Sequence, residues 1–137
     1  MTRGATSSRI ALTGSWSILI GAEFEVVNNG DSVQAVAGER TVYVSSLQVG
    51  APVPVPGDQL RAVASRRLGA GERISHAVSA CQGDATVSRV GDKWRLEGTM
   101  CADGTVATCM VDFNAAEDRA WAESVWRSLE CRPGRPA

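Results

Sequence analysis

The sequence predicts an α+β domain with a single antiparallel sheet of six to seven strands. Two three-strand meanders, each followed by a helix packed on the sheet, would build it (βββα-βββα). Three observations support this: apolar and polar residues alternate, turn dipeptides separate the alternating runs, and helical spacing follows each set of runs. The first copy covers residues 16–27, 31–37 and 40–49 with a helix near 58–68, and the second covers 85–90, 93–101 and 105–113 with a helix over 114–129.

The turns of the first meander predict which residues face each other. Asn29-Gly30 is a favoured type I′ dipeptide, and as a two-residue turn it would set Val26 opposite Val33. Gly38-Glu39 has glycine first, as a type II′ turn requires, and sets Gln34 opposite Tyr43. Both registers put the same apolar set on one face: Phe24, Val26, Val33, Ala35, Val42 and Val44.

The second meander is predicted in the same way. A turn at Gly91-Asp92 sets Leu96 opposite Val87 and Gly98 opposite Ala85. A turn at Asp103-Gly104 sets Leu96 opposite Val111, and it places an ion pair of Arg95 with Asp112 on the other face. A further strand is expected near residues 74–81, where alternation also occurs.

Helix boundaries follow from capping residues. Asp58 is predicted as an N-cap and Gly69 as the stop of the first helix. Asn114 and Glu117 resemble a capping box for the second helix. The apolar stripe of that second helix is expected to be core: Trp121, Ala122, Val125, Trp126 and Leu129.

The domain is expected to span residues 14–131, after a flexible N-terminus at 1–13 and before a disordered tail at 132–137. The proline-rich segment 51–57 reads as a crossing connection. No stretch is apolar enough to cross a membrane. A cytoplasmic location is expected, or the periplasm if a signal peptide precedes this sequence.

Charge excludes one class of partner and suggests another. With 14 basic and 15 acidic residues, the chain lacks the broad basic surface that nucleic acid requires. Lys93 is the only lysine, a bias typical of a GC-rich bacterial coding sequence. The first helix collects Arg61, Arg66, Arg67 and nearby Arg73, whereas the second is acidic. These are either two solvated or mutually complementary faces, or a basic patch for an acidic partner.

Catalytic and metal-binding patterns are absent from the sequence. The single histidine, His76, shares its parity with apolar neighbours and is expected to be half-buried, and no C-x-x-C spacing accompanies it. The sequence therefore predicts no cofactor, no metal and no enzyme. A hydrolase or isomerase built on His76, or on Arg95, Asp112 and Glu97, is the enzymatic alternative. Reduced cysteines are the default, and Cys81 with Cys101 is the one disulfide worth testing.

The predicted second face of the sheet is more apolar than a solvated face should be. It carries Val27, Val36, Tyr43, Leu47, Val90, Val106 and Met110. A helix, a second subunit or a partner is expected to cover part of it. The partner-binding residues predicted from this face and from the arginine-rich helix are Arg61, Arg66, Arg67, Tyr43, Arg95 and Met110.

The order of elements from residue 16 to about residue 129 resembles the PsbP-like group of small α+β proteins, including DcrB-type bacterial domains. The local sequence features that carry this resemblance are Tyr43-Val-Ser-Ser46 and the C-terminal helix with its tryptophans. The resemblance implies a binding, assembly or adaptor role and transfers no site residue.

The expected function is that of a small bacterial interaction protein without catalysis: an adaptor, an assembly factor or an inhibitor-type partner, acting on another protein or as a homodimer. The alternative is a domain that binds a small apolar ligand near Trp94, Phe113 and Trp121.

Overall fold

The computed structural model describes residues 7–12, 16–49, 53–78 and 81–131. Of these residues, 58% lie in strands and 19% in helices, and the strands form two sheets. The prediction of a single sheet in an α+β domain is therefore wrong. The chain is mostly β, and a second, three-stranded sheet packs with the large one.

Ten strands and two α-helices make up the described part of the chain. The strands are β1 Ser7–Ala11, β2 Trp16–Gly21, β3 Glu25–Asn28, β4 Ser32–Ala37, β5 Arg40–Gln48, β6 Glu72–Val78, β7 Cys81–Val90, β8 Lys93–Ala102, β9 Thr105–Phe113 and β10 Glu130–Cys131. The helices are α1 Gly57–Arg66 and α2 Arg119–Arg127, with a 3-10 turn over Ala116–Asp118 before α2.

All paired strands are antiparallel. The small sheet has the order β1-β2-β10, and the large sheet has the order β3-β4-β5-β9-β8-β7-β6. The second predicted meander is confirmed as β7-β8-β9, whereas the first holds only from residue 25 onward, as β3-β4-β5; β5 pairs with β9 and joins the two. The additional strand expected near residues 74–81 is also confirmed, as β6.

The single-sheet prediction fails at the run of residues 16–27. This run divides at a turn over residues 21–24, closed by a hydrogen bond from Phe24 N to Gly21 O of 3.2 Å. Before the turn, β2 pairs with β1 and β10; after it, β3 pairs with β4. Ser7–Ala11 accordingly forms a strand inside the segment expected to be flexible, while residues 1–6, 13 and 132–137 lie outside the described residues.

Three of the four predicted hairpin registers are confirmed. Gln34 faces Tyr43, Leu96 faces both Val87 and Val111, and Arg95 faces Asp112. The first hairpin register is wrong by two residues, because Val26 faces Ala35. The turn there is Gly30-Asp31, with glycine first at φ 94° and the flanking Asn29 N bonded to Ser32 O at 2.9 Å.

None of the three predicted helix caps is correct, and α1 ends at Arg66 with Arg67, not Gly69, as the residue after it. The N-cap of α1 is Pro56, and the side chain that accepts from the helix start is Asp103, whose Oδ1 lies 2.8 Å from Gly57 N. Before α2, Asn114 donates to Glu39 Oε1 at 3.0 Å instead of forming a capping box. The sequence pattern predicted both helices, whereas tertiary contacts determine which groups bond to the backbone at their ends.

The core lies between the inner face of the large sheet and a layer made of α2 and the small sheet. Trp126 is fully buried there and donates from Nε1 to Thr99 O at 3.2 Å. Gly98 makes room for that ring, since a Cβ at this position would lie 2.5 Å from Trp126 Nε1. Trp16 of β2 is buried as well and donates to Thr105 Oγ1 at 2.7 Å. Of the stripe predicted to be core, Ala122, Val125, Trp126 and Leu129 are buried, and Trp121 is partly buried against the core.

Candidate functional site

A half-open apolar groove lies on the outer face of the large sheet, opposite α2. Helix α1 covers this face over β7, β8 and β9, and the groove of about 500 Å³ runs between α1 and the sheet. Its lining is mainly aliphatic: Tyr43, Leu47, Val49, Leu60, Val63, Ala64, Arg67, Leu68, Glu97, Gly98, Thr99, Val106, Thr108, Cys109 and Met110.

The start of α1 is held tightly against the β8–β9 turn. Gly57 N donates to Asp103 Oδ1, and Gly104 N donates to Val55 O at 2.7 Å. A Cβ at Gly57 would lie 3.1 Å from the Ala102 carbonyl carbon, so a glycine allows this close approach. These contacts set the position from which α1 crosses the sheet.

An ion pair fixes the middle of α1. Arg61 donates from Nε and Nη2 to Asp84 of β7 at 3.0 and 2.9 Å, and Ser75 Oγ donates to the same carboxylate at 2.7 Å. Hydrogen bonds from Arg61, then from Ser75, hold the pKa of Asp84 below its usual value against the opposing effect of burial. The same pair raises the pKa of Arg61. This cluster positions the helix that forms one wall of the groove.

Apolar exposure continues beyond the groove across the sheet. Leu47 is 64% exposed, Tyr43 45% and Val27 56%, and Val63 on α1 is 52% exposed. Helix α1 packs mainly on β7 and β8, and in the described part of the chain the outer face of β3–β5 keeps its apolar side chains exposed. The second face predicted to be too apolar is thus only half covered by the chain's own helix.

The structure brings three of the six predicted partner-binding residues together. Tyr43 and Met110 are cross-strand neighbours in the β5–β9 pair, and both line the groove with Arg67. Arg66 is exposed in the last turn of α1. Within the described ranges, neither Arg66 nor Arg67 has an ion pair, so two cationic side chains stand at this end of the helix.

Arg61 and Arg95 serve other purposes. Arg61 is occupied by Asp84, as described above. Arg95 donates to Asp112 at 2.7 and 3.1 Å, which confirms the predicted cross-strand ion pair. Hydrogen bonding to Asp112 raises the pKa of Arg95 despite partial burial. Each of these two arginines therefore forms an ion pair with a carboxylate of the large sheet.

The three aromatic residues expected to bind a small apolar ligand contact other side chains of the protein, and Arg89 lies over the Trp94 ring at 5.1 Å. Phe113 is fully buried, and Trp121 stacks on Phe24 with ring centroids 5.7 Å apart and planes 8° from parallel. Arg40 covers the Trp121 ring at 5.1 Å. The groove under α1 is a different place, and Trp94, Phe113 and Trp121 do not line it.

A second cavity, of about 450 Å³, lies where β6, β7, α2 and β10 meet. It is lined by His76, Val78, Cys81, Arg127, Leu129, Glu130 and Cys131. His76 packs against Trp126 at 5.9 Å, and burial, with a smaller contribution from Arg127, lowers its pKa. Cys81 meets Cys131 here and not Cys101, because Cys101 faces Gln82 across β7 and β8 and therefore lies on the opposite face.

Residues 7–12, 16–49, 53–78 and 81–131 contain no cluster of three or more residues able to hold a metal ion. The helices of this part are also too short or too polar to cross a membrane.

Comparisons with known proteins give a likeness of fold. No protein-family model and no curated protein matches the sequence. A crystal structure from Bacteroides thetaiotaomicron VPI-5482 matches with a TM-score of 0.57 at 9% identity, over 90% of this chain and 50% of that one. The likeness shows the fold alone. This chain thus spans about half the length of that neighbour, and the match does not bear on the resemblance to PsbP-like proteins.

The sequence identified the residues of both walls of the groove, but it did not show that α1 packs against this face of the sheet. Leu60, Val63 and Leu68 were visible as a helical stripe, and Leu47 and Val106 as members of an apolar strand face. No residue signal assigns a helix to a particular face of a sheet, so the groove appears only in three dimensions. The contact of Cys81 with Cys131 was missed because β10 is two residues long.

Proposed function

We propose that this protein is a non-catalytic binding protein whose site is the groove between α1 and the outer face of the large sheet. The observation that supports this most is that exposed apolar side chains flank the groove on both sides, Val63 on α1 and Leu47 with Tyr43 on the sheet. Large exposed apolar patches mark interaction sites in soluble proteins. An adaptor, assembly or inhibitor role fits such a surface.

The partner favoured by this surface is a protein segment with an apolar face and acidic flanks. Exposed apolar side chains also lie past the groove, among them Val27 on β3 and Val36 on β4, and a small molecule in the groove would leave them uncovered. Arg66 and Arg67 are exposed at one end of α1 and have no ion pair in the described ranges, and they would attract carboxylates of the partner.

The test compares two valines of similar exposure. Val63, at 52%, lines the groove, whereas Val78, at 55%, lies on β6 at the other face of the sheet. A charge in the groove would have to be desolvated on binding, so Val63→Asp should weaken capture of a partner at least tenfold while Val78→Asp leaves it unchanged. Arg67→Glu should weaken the same capture and make it less sensitive to salt.

Three results would overturn the proposal. Equal capture by the Val63→Asp and Val78→Asp proteins would place binding elsewhere. A partner that binds the Arg67→Glu protein more tightly than the wild type would contradict the expectation of acidic flanks. The proposal would also be wrong if the protein were strictly monomeric and captured no partner whose binding is weakened by Val63→Asp.

A small apolar ligand is the second candidate, and the groove volume favours it. About 500 Å³ with a mainly aliphatic lining lies within the range of roughly 300–1,000 Å³ typical of ligand pockets. Ala64→Phe would fill the groove from α1 while leaving Leu47 and Val27 exposed. Saturable binding of a hydrophobic fluorescent dye that Ala64→Phe abolishes would support a small ligand, whereas partner capture that survives Ala64→Phe would favour the protein segment.

A further inference from the structure

The second cavity contains a pair of thiols that come from different sheets. Cys81 is the first residue of β7 in the large sheet, and Cys131 is the last residue of β10 in the small sheet. Cys81 belongs to the buried core, and Cys131 packs against it. Both cysteines line the same cavity, and the side chain and the backbone of Cys131 lower the pKa of Cys81.

The surroundings favour a thiolate at Cys81. Hydrogen bonding from Cys131 lowers the pKa of Cys81 to about 7, against the opposing effects of burial and of Glu130. His76 from β6 and Arg127 from α2 line the same cavity. Reactive cysteines are found in such partly open sites next to basic groups, because the thiolate is the nucleophile.

The other two cysteines lie in places that keep them inert. Burial raises the pKa of Cys109 to about 12. Burial and the Asp84 carboxylate raise the pKa of Cys101 to about 11. All four cysteines are thiols in this structure. Among them, Cys81 has both a lowered pKa and a neighbouring thiol.

We propose that Cys81 and Cys131 are the two halves of a reversible disulfide that links the large sheet to the small sheet. The bond would close a loop of about 50 residues that contains β7, β8, β9 and α2. It would tie down β10, which pairs with β2 through only two residues. The inference stands independently of the groove.

A low-molecular-weight disulfide is the oxidant. The Cys81 thiolate attacks one sulfur of that disulfide, whose S–S bond breaks, and the released thiolate takes up the proton that Cys81 lost. The Cys131 thiol then loses its proton and attacks Cys81 Sγ, and the second small thiolate leaves with that proton. In total, two protein thiols lose two electrons and two protons, and one small disulfide becomes two thiols.

The experiment treats the reduced protein with 2-hydroxyethyl disulfide, unfolds it, alkylates the remaining thiols and maps the peptides by mass spectrometry. We expect a Cys81–Cys131 linked peptide, with Cys101 and Cys109 alkylated. The melting temperature should rise by about 10 °C and return after reduction, since the bond closes a long loop. In Cys131→Ser, the probe should remain as a mixed disulfide on Cys81, whereas Cys109→Ala should behave like the wild type.

Other results would overturn the inference. Alkylation of all four cysteines would show that Cys81 is unreactive. A Cys81–Cys101 link, or a mixed disulfide at Cys81 that persists in the wild type, would show that Cys131 is not its partner. A fall in the melting temperature on oxidation would show that the bond strains the fold. If Cys131→Ser does not fold, the wild-type peptide map and melting temperature still decide between these results.

Discussion

Substituting Asp84 by alanine should loosen α1 and destabilise the whole domain. The side chain of Asp84 is only 8% exposed, and it accepts two hydrogen bonds from Arg61 and one from Ser75. Removing one member of a buried ion pair costs about 3–5 kcal/mol, because the other charge is left without compensation. Arg61 is 28% exposed and regains some water, so we expect a loss of about 2–3 kcal/mol.

Urea unfolding followed by tryptophan fluorescence measures this loss. The double variant Arg61→Met with Asp84→Asn should recover part of the stability, since it leaves no uncompensated charge in the cluster. Because the folded-state pKa of Asp84 is lowered, its contribution is present above the unfolded pKa of about 3.9 and is lost as the pH falls through the folded value. A loss below about 0.5 kcal/mol for Asp84→Ala would refute the view that this pair anchors α1.

Three further predictions concern other contacts. Gly98→Ala should destabilise the protein by about 1–3 kcal/mol, because the new Cβ meets the Trp126 ring; chemical unfolding measures it. A double-mutant cycle on Arg95 and Asp112 should give an interaction energy of only about 0.5–1 kcal/mol, since both side chains are partly exposed. For His76, whose pKa is lowered in the fold, stability should fall as the pH drops from about 7 to about 5, and His76→Gln should remove that part of the decrease.

Each of these has a matched control or a contrary result. Gly69→Ala is the control for Gly98, because its Cβ would meet only the Glu97 side chain at 3.7 Å, and an equal loss in both would exclude the ring contact as the cause. An interaction energy above about 2 kcal/mol for Arg95 with Asp112 would show that the pair is effectively buried. An NMR titration that gives His76 a pKa above its ordinary value would reverse the sign of the pH prediction.

The sequence predicted the large sheet well because its turns are short. Gly38-Glu39, Gly91-Asp92 and Asp103-Gly104 leave one register each, and the strands on both sides alternate clearly. Asn29-Gly30 was misleading because Gly30 serves equally well as the first residue of the next turn, Gly30-Asp31. A shift of two residues keeps every side chain on its face, so the pattern of apolar residues could not expose the error.

The second sheet could not be predicted from alternation. Trp16, Ile18, Ile20, Phe24 and Val26 all have the same parity, so one long strand fits the run of residues 16–27 as well as two strands in different sheets. What separates them is the turn at residues 21–24. The small sheet also depends on β10, which has only two residues and carries no periodicity.

Part of the candidate site could be predicted from the sequence. The apolar excess of the second face, with Tyr43 and Met110, was found from strand parity, and both residues line the groove. The prediction that Arg61 is available for a partner was wrong. Asp84 lies 23 residues from Arg61 in the sequence, and no sequence pattern indicates that the two side chains are in contact. Long-range pairs of this kind depend on how α1 crosses the sheet.

Site-specific photo-crosslinking tests the central claim most directly. A benzophenone side chain in place of Leu47 would sit on the exposed part of the proposed binding surface, and one in place of Val78 would sit on the other face with similar exposure. We expect a discrete crosslinked product from position 47 that is absent from position 78 and is lost with Val63→Asp. Equal products from both positions, or a product from position 78 alone, would contradict it.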